Sequence, residues 1–147
     1  MRKYSMKQHK YNARAGWYTP DLQGPFPKGR YPNLIHFDSQ LEVRFARTLE
    51  LRTRANDILG WVRNYDAWDF NTKRTTPYRA NSRIKPDFLY WENDGTEVWV
   101  EVKGMARRES LTQISRAIKY FPERKLLIHT RQGTFTPEYY LQQWNRL

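Results

Sequence analysis

Two short segments in the middle of the chain carry side chains that suit divalent-metal and phosphate chemistry. The first contains Asp87, and the second contains Glu101 and Lys103, beginning fourteen residues later. Two apolar runs separate them and are joined by residues 92–95, Glu-Asn-Asp-Gly. Because Asn, Asp and Gly tolerate the positive φ angles of tight turns, this pattern predicts a β-hairpin. The two carboxylates and the ammonium group would then meet at the open end of the hairpin.

Strand alternation places two of these side chains on one face. Successive side chains in a strand point to opposite faces, so Glu101 and Lys103 share a face with Trp99, about 7 Å apart along the strand. The valines at 98, 100 and 102 occupy the other face and suit packing. A solvated strand face with alternating charges is the plain alternative. The upstream Pro86-Asp87 and the high net charge weigh against that alternative.

Length and composition limit the class of protein. A chain of 147 residues fits one domain with a modest core, and the absence of cysteine excludes disulfides, a zinc ribbon and a cysteine nucleophile. This composition fits a reducing cytoplasm, which would be the host cytoplasm for a phage-encoded protein. No run of 18 apolar residues exists, so we expect no transmembrane helix and no membrane partner. The net charge of +11 indicates a polyanionic partner, for which nucleic acid is the default.

The N-terminal segment, residues 1–36, differs from the rest of the chain. It holds seven Lys or Arg residues against one acid, Asp21, together with several prolines and glycines that exclude long regular elements. We expect a basic arm that is extended or irregular and orders on a partner. A contact with the DNA backbone, a wrap around a second subunit and a solvated tail all remain open.

The remaining chain shows alternating helical and strand patterns. The predicted elements are a helix from Ser39 to about Arg54, a strand over 60–70, a loop over 71–82, the hairpin over 84–103, a helix over 109–120, a buried parallel strand over 125–129 and a last helix beginning at 136–138. We expect Trp91 and Trp99 to pack under the first helix rather than to stack on bases. The three histidines show no paired metal-ligand spacing.

Glu42 has two competing interpretations. Ser39-Gln40-Leu41-Glu42 fits a capping box, in which Glu42 reaches back to the amide of the N-cap residue. The other interpretation turns Glu42 toward the sheet and the predicted metal site. One role largely excludes the other.

These motifs, in this order, resemble the PD-(D/E)XK nuclease superfamily. The matching segments are Ser39-Gln40-Leu41-Glu42, Pro86-Asp87-Phe88 and Glu101-Val102-Lys103-Gly104, and the resemblance covers roughly residues 37–130. Within the superfamily, the chain resembles the phage endonuclease I family of Holliday-junction resolvases and the nuclease subunits of heteromeric transposases. The resemblance implies an α/β, restriction-endonuclease-like αβββαβ core, a mixed sheet flanked by helices, within a nuclease domain spanning 37–147.

The resemblance also implies roles for the site residues. Asp87 and Glu101, with the backbone carbonyl of Val102, would bind Mg²⁺ or Mn²⁺ as hard oxygen ligands. Lys103 would orient or deprotonate the attacking water or stabilise the charged phosphate. Glu42 would complete the catalytic set and reach a second metal ion. No small-molecule cofactor is expected.

DNA is the expected partner. The candidate phosphate contacts are Lys73, Arg74, Arg79, Arg107 and Arg108. No recognition helix or zinc finger is evident, which favours recognition of DNA shape over base sequence. Cutting two strands symmetrically requires two active sites and therefore a homodimer.

The sequence therefore predicts a metal-dependent DNA endonuclease acting on branched or otherwise structured DNA. A transposon-end or restriction-like cutter of duplex DNA is the nearest alternative. A nuclease-fold protein that binds nucleic acid without cutting it is the alternative from a different class.

Overall fold

The computed structural model describes residues 16–145 of the chain. The chain divides after Leu51 into two compact units. The boundary falls inside the first described helix, α1 (Gln40–Arg54). No helix in the described part of the chain is long and apolar enough to cross a membrane.

Aromatic side chains organise the first unit. Strands β1 (Gly16–Tyr18) and β2 (Ile35–Phe37) pair antiparallel, and the rings of Tyr18 and Phe37 meet edge to face at 5.6 Å. Both rings are buried, as is Leu22 in the connection. The predicted absence of long regular elements agrees with the structure, since residues 19–34 between these short strands contain only turns, irregular chain and one bridge from Phe26 to Trp17. Residues 1–15 of the arm lie outside the described part.

Helix α1 begins where the capping residues predict. The Ser39 hydroxyl accepts a hydrogen bond from the Glu42 backbone N–H at 3.2 Å, which satisfies one of the free donors of the first turn. Phe45 and Leu49, from the predicted apolar stripe, are buried. The predicted bounds of this helix are confirmed.

The second unit is an α/β arrangement built on a mixed sheet. Its elements are β3 (Ile58–Arg63), β4 (Trp68–Asp69), a 3₁₀ helix (Phe70–Lys73), β5 (Arg83–Ile84), β6 (Phe88–Glu92), β7 (Glu97–Val102), α2 (Arg108–Tyr120), β8 (Lys125–Thr130), β9 (Gly133–Phe135) and α3 (Pro137–Asn145). Five strands form the sheet in the order β3-β6-β7-β8-β9. Only β7 and β8 pair in parallel, and α2 is the crossover between them. The predicted parallel strand after α2 is thus confirmed.

The predicted hairpin is confirmed for β6 and β7 and their turn, but its predicted start is wrong, because Ile84 lies in β5 and pairs with β4. Gly95 adopts a φ of +88°, and its N–H donates to the Glu92 carbonyl at 2.8 Å. Leu89 pairs with Trp99 across the two strands. A glycine here avoids the steric cost of a left-handed backbone.

The prediction of one strand over 60–70 is wrong. Strand β3 ends at Arg63, because Asn64 turns with a φ of +48°. The chain then forms the separate ribbon β4–β5, and Trp68 enters the core with 1% of its surface exposed. The Asp69 carboxylate accepts from the Asn71 N–H and starts the 3₁₀ helix. Burial of one large ring thus overrides local strand propensity.

One face of the sheet packs against α2 and α3. Leu89, Trp99 and Ile128 from the sheet form a buried cluster with Ile114 of α2 and Tyr140 of α3. Trp91 packs against the same cluster. Both tryptophans therefore pack on this face, and their predicted place under the first helix is wrong. Trp99 shares its face of β7 with Glu101, so the metal-site side chains lie at the rim of this core.

Candidate metal centre at the open end of the hairpin

The β6–β7 pairing brings Asp87 and Glu101 together. Phe88 pairs with Val100, so Asp87, the residue before β6, lies opposite Glu101. The Asp87 carboxylate accepts a hydrogen bond from the Val102 backbone N–H at 2.8 Å. This bond fixes the carboxylate against the end of β7.

Glu101 is a buried acid with an acid as its neighbour. Its exposed fraction is 6%. Burial raises the pKa of Glu101 well above its ordinary value, and a hydrogen bond to Asp87 and the charge of Asp87 raise it further, whereas Lys103 acts in the opposite direction. The surroundings of Glu101 thus disfavour its charged form, and a cation bound beside the two carboxyl groups would offset this effect.

Lys103 completes the cluster from the same strand face. Its Nζ lies 3.6 Å from Glu101 Oε2, and its side chain is mostly buried. The Lys103 backbone N–H donates to the His129 carbonyl of β8 at 2.8 Å. Two strands therefore fix the lysine position.

The donor set fits a magnesium-type ion. Two adjacent carboxylates provide hard oxygen ligands, and a divalent cation would offset the repulsion between them. In residues 16–145 no group of three or more His, Cys, Asp or Glu side chains is placed to hold a metal ion. Two carboxylates with a backbone carbonyl at Val102 remain the predicted ligands, and such a site leaves positions for water.

Glu42 belongs to the first unit, whereas Asp87, Glu101 and Lys103 belong to the second. Its side chain is buried, and its backbone N–H binds Ser39 as the capping interpretation requires. Its part in a metal site stays a prediction.

The five predicted phosphate contacts divide into two groups. The exposed residues are Lys73, Arg79, Arg107 and Arg108. Arg74 is half-buried, and its guanidinium donates to the Thr76 carbonyl at 2.8 Å and to the hydroxyls of Tyr78 and Tyr120 at 3.0 and 2.6 Å. Arg74 thus fixes the loop before β5 onto α2, which favours a structural role.

A basic groove along α2 contains residues that sequence reasoning missed. The α2 groove has a volume of about 460 Å³ and is lined by Arg108, Arg116, Lys119 and Tyr78, among others. Arg108 and Lys119 are eleven residues apart, about three helical turns, and Arg116 lies about one turn before Lys119, so the three share one side of α2. This spacing from the predicted contact Arg108 was a signal that could have identified Arg116 and Lys119. Among the described residues, no acid lines the groove.

Comparison of the chain with protein-family models, with curated proteins and with solved structures finds no match. The chemistry of the site therefore has to follow from its own geometry.

Proposed function

We propose that the protein is a Mg²⁺- or Mn²⁺-dependent DNA endonuclease of the PD-(D/E)XK type. One observation carries the proposal. Asp87 and the buried Glu101 meet Lys103 at the open end of one hairpin. This is the combination of charges that phosphodiester hydrolysis requires.

The element order supports the same proposal. From α1 onward the main elements follow the order helix, three sheet strands, helix, strand, with β4, β5 and the 3₁₀ helix inserted and β9 and α3 added. This order is compatible with the restriction-endonuclease-like αβββαβ core. The candidate site lies at the end of the second and third sheet strands along the chain, β6 and β7.

The roles of the residues follow from their surroundings. When bound, the metal ion neutralises phosphate charge and lowers the pKa of a coordinated water. Asp87, held by the Val102 N–H, and Glu101 would hold this ion with the Val102 carbonyl. Lys103 contacts Glu101 and is positioned to orient the attacking water or to stabilise charge on the phosphate.

Burial favours catalysis over silent DNA binding. Burial of Glu101 beside a second carboxyl group costs free energy, and a hydrophobic residue at this position would suit a purely structural strand end better. A DNA-binding surface would also be weakened by acids. An ion-binding role accounts for both carboxylates and for the lysine.

Branched or structured DNA is the substrate we favour, cut by a homodimer. The high positive charge supplies non-specific affinity for DNA, and the groove along α2 offers a shaped, basic surface rather than a base-reading helix. A cutter of duplex DNA at transposon ends or restriction-like sites is the second candidate, and a catalytically silent DNA-binding protein is the third.

A cleavage assay with Mg²⁺ or Mn²⁺ on supercoiled plasmid, linear duplex and a four-way junction tests the proposal. We expect cleavage by the natural protein and a rate lower by at least about 10²-fold in Asp87→Asn and in Lys103→Ala. Glu97→Gln is the matched control, since Glu97 is an exposed acid on the same face of β7. Absence of cleavage with either metal would refute the enzyme, and equal rates on duplex and junction would refute the structural preference.

A further inference from the structure

A cavity of about 370 Å³ lies beside Lys103, on the side of α3. Its volume falls within the range of small-molecule sites. Lys103 and Gly104 form one wall, the β8–β9 turn forms a second, and one face of α3 forms a third. The cavity is thus continuous with the proposed metal centre.

Aromatic rings dominate the walls of this cavity. Phe135 and Tyr139 stack at 5.1 Å with an angle of 30° between ring planes. Tyr139 is 47% exposed, and Trp144, one helical turn beyond Tyr140, is 37% exposed. Exposed aromatic faces on a small domain offer a stacking surface for a flat ligand.

Tyr140 points to a ligand independently of the stacking rings. It lines the cavity, its exposed fraction is 4%, and its hydroxyl has no hydrogen-bond partner within residues 16–145. A buried hydroxyl without a partner costs free energy unless a ligand or water supplies one. Burial raises the pKa of Tyr140, the side chain of Trp144 lowers it, and the charge of Glu101 raises it.

Apart from Gly104 and Ala106, the remaining lining within residues 16–145 is polar and includes no acidic side chain. Gln132 and Gln143 contribute side chains that can both donate and accept hydrogen bonds, and Lys103 is the cation. Amide groups match the mixed donors and acceptors on the edge of a nucleobase, whereas the lysine suits the phosphate attached to it.

We propose that this cavity holds an unpaired nucleobase, belonging to a nucleotide next to the phosphate that is cut. The proposal rests on the proposed function and explains how the enzyme would select DNA with unpaired bases over continuous duplex. A base in continuous duplex is stacked and must be flipped out to enter, whereas a base at a branch or bulge is already free. The cavity thus favours DNA with unpaired bases near the cut.

Binding of 2-aminopurine DNA tests the cavity without requiring cleavage. The probes are a duplex with one bulged 2-aminopurine and the same duplex with that base paired, both in Ca²⁺ or in EDTA. We expect the natural protein to quench the bulged probe by ring stacking and to leave the paired probe nearly unchanged. Equal responses of the two probes, or no response of the bulged probe on binding, would overturn the proposal.

Variants assign the response to the rings. Tyr139→Ala and Trp144→Ala should each weaken bulged-duplex binding about tenfold, the lower part of the range for loss of a base–aromatic stack, with paired-duplex affinity within about twofold. Tyr139→Phe keeps the ring and should retain binding. Leu59→Ala, an exposed apolar residue on the opposite edge strand, is the distant control.

The two proposals fail in different ways. A protein that quenches the bulged probe but cuts no DNA would refute the nuclease and retain the base-binding cavity. A protein that cuts junctions but loses bulged and paired affinity equally in Tyr139→Ala would retain the nuclease and refute the cavity. Thermal unfolding of each variant identifies variants that fail to fold. If a variant fails to fold, the test of the cavity is the difference between the bulged-probe and paired-probe responses of the natural protein.

Discussion

The carboxyl pair at the end of the hairpin and the groove along α2 are both strongly charged, yet they are built in opposite ways. Glu101 is buried beside Asp87 with one cation near them, whereas the α2 groove is open and lined by three cations without an acid. Burial strengthens electrostatic interactions and perturbs pKa values, whereas exposure leaves charges free to meet a moving polyanion. If the proposed function holds, the carboxyl pair would carry the hydrolysis and the α2 groove would bind the DNA backbone, both within the second unit.

The groove cations are also held differently from the carboxylates. Tyr78 lies between two guanidinium groups, with Arg74 at 3.8 Å and Arg116 at 3.5 Å from its ring centroid. Arg116 also donates to the carbonyls of Ala80 and Asn81. Arg116 is therefore largely positioned by the chain, while Arg108 and Lys119 are exposed and free to contact phosphate.

The largest expected effect comes from the metal centre. Lys103→Ala should lower the cleavage rate by about 10²–10³-fold, the usual loss when one electrostatic group of an active site is removed. Junction affinity, measured by gel shift in Ca²⁺, should stay within about threefold. A comparable loss of affinity would show that chemistry and binding are not separable here.

A smaller effect is expected in the α2 groove. The double variant Arg108→Ala, Lys119→Ala should lower DNA affinity about tenfold near physiological salt and reduce the slope of log affinity against log salt by about 1.8, or 0.9 per phosphate contact. Lys125→Ala is the control, because Lys125 is exposed at the start of β8, is not part of the groove lining and pairs with Glu92. An unchanged salt slope would remove the groove from the DNA-binding surface.

Glu101→Gln should give a pH effect on stability that no groove variant gives. The raised pKa of Glu101 means that the folded protein binds a proton more tightly than the unfolded chain. Metal-free stability therefore falls as the pH rises from the ordinary 4.5 through the raised pKa. Glu101→Gln should flatten this fall and be more stable above that window, as measured by urea unfolding in EDTA. Glu97→Gln, at an exposed position, should keep the natural profile.

The smallest effect concerns Glu42 and its cap. Ser39→Ala should lower the free energy of unfolding by about 1 kcal/mol through loss of the N-cap bond, without changing the cleavage rate. Glu42→Gln then tests which role its carboxylate has. A large loss of cleavage with little loss of stability would assign it to the metal centre, and the reverse result would assign it to the cap.

Local signals account for what the sequence predicted well. The hairpin follows from Gly95 and its polar neighbours, and the common face of Glu101 and Lys103 follows from strand alternation. Ser39 fixed the start of α1 for a similarly local reason. Each of these features depends on residues that are near one another along the chain.

Features that depend on distant contacts were missed. The turn at Asn64 places Trp68 in a core to which seven other elements contribute buried side chains, and no residue near Trp68 in the sequence indicates this. Strand β9 is only three residues long, so its pairing with β8 depends on its place beside that strand in the fold rather than on the strand propensity of its residues. The unpartnered hydroxyl of Tyr140 and the cavity around it likewise exist only after α3 packs.

The hairpin origin of the carboxyl pair has a consequence for how the protein folds. Asp87 and Glu101 meet through a short loop, so their contact has low contact order and can form early. The anchor of Lys103 on His129 closes a much longer loop and requires the parallel crossover through α2. We expect φ-values to be higher at Leu89 and Val98 than at Ile128. A chain released before β8 would then carry its acids already paired and its lysine still unanchored, so the three side chains of the candidate site are positioned together only when the C-terminal third has folded.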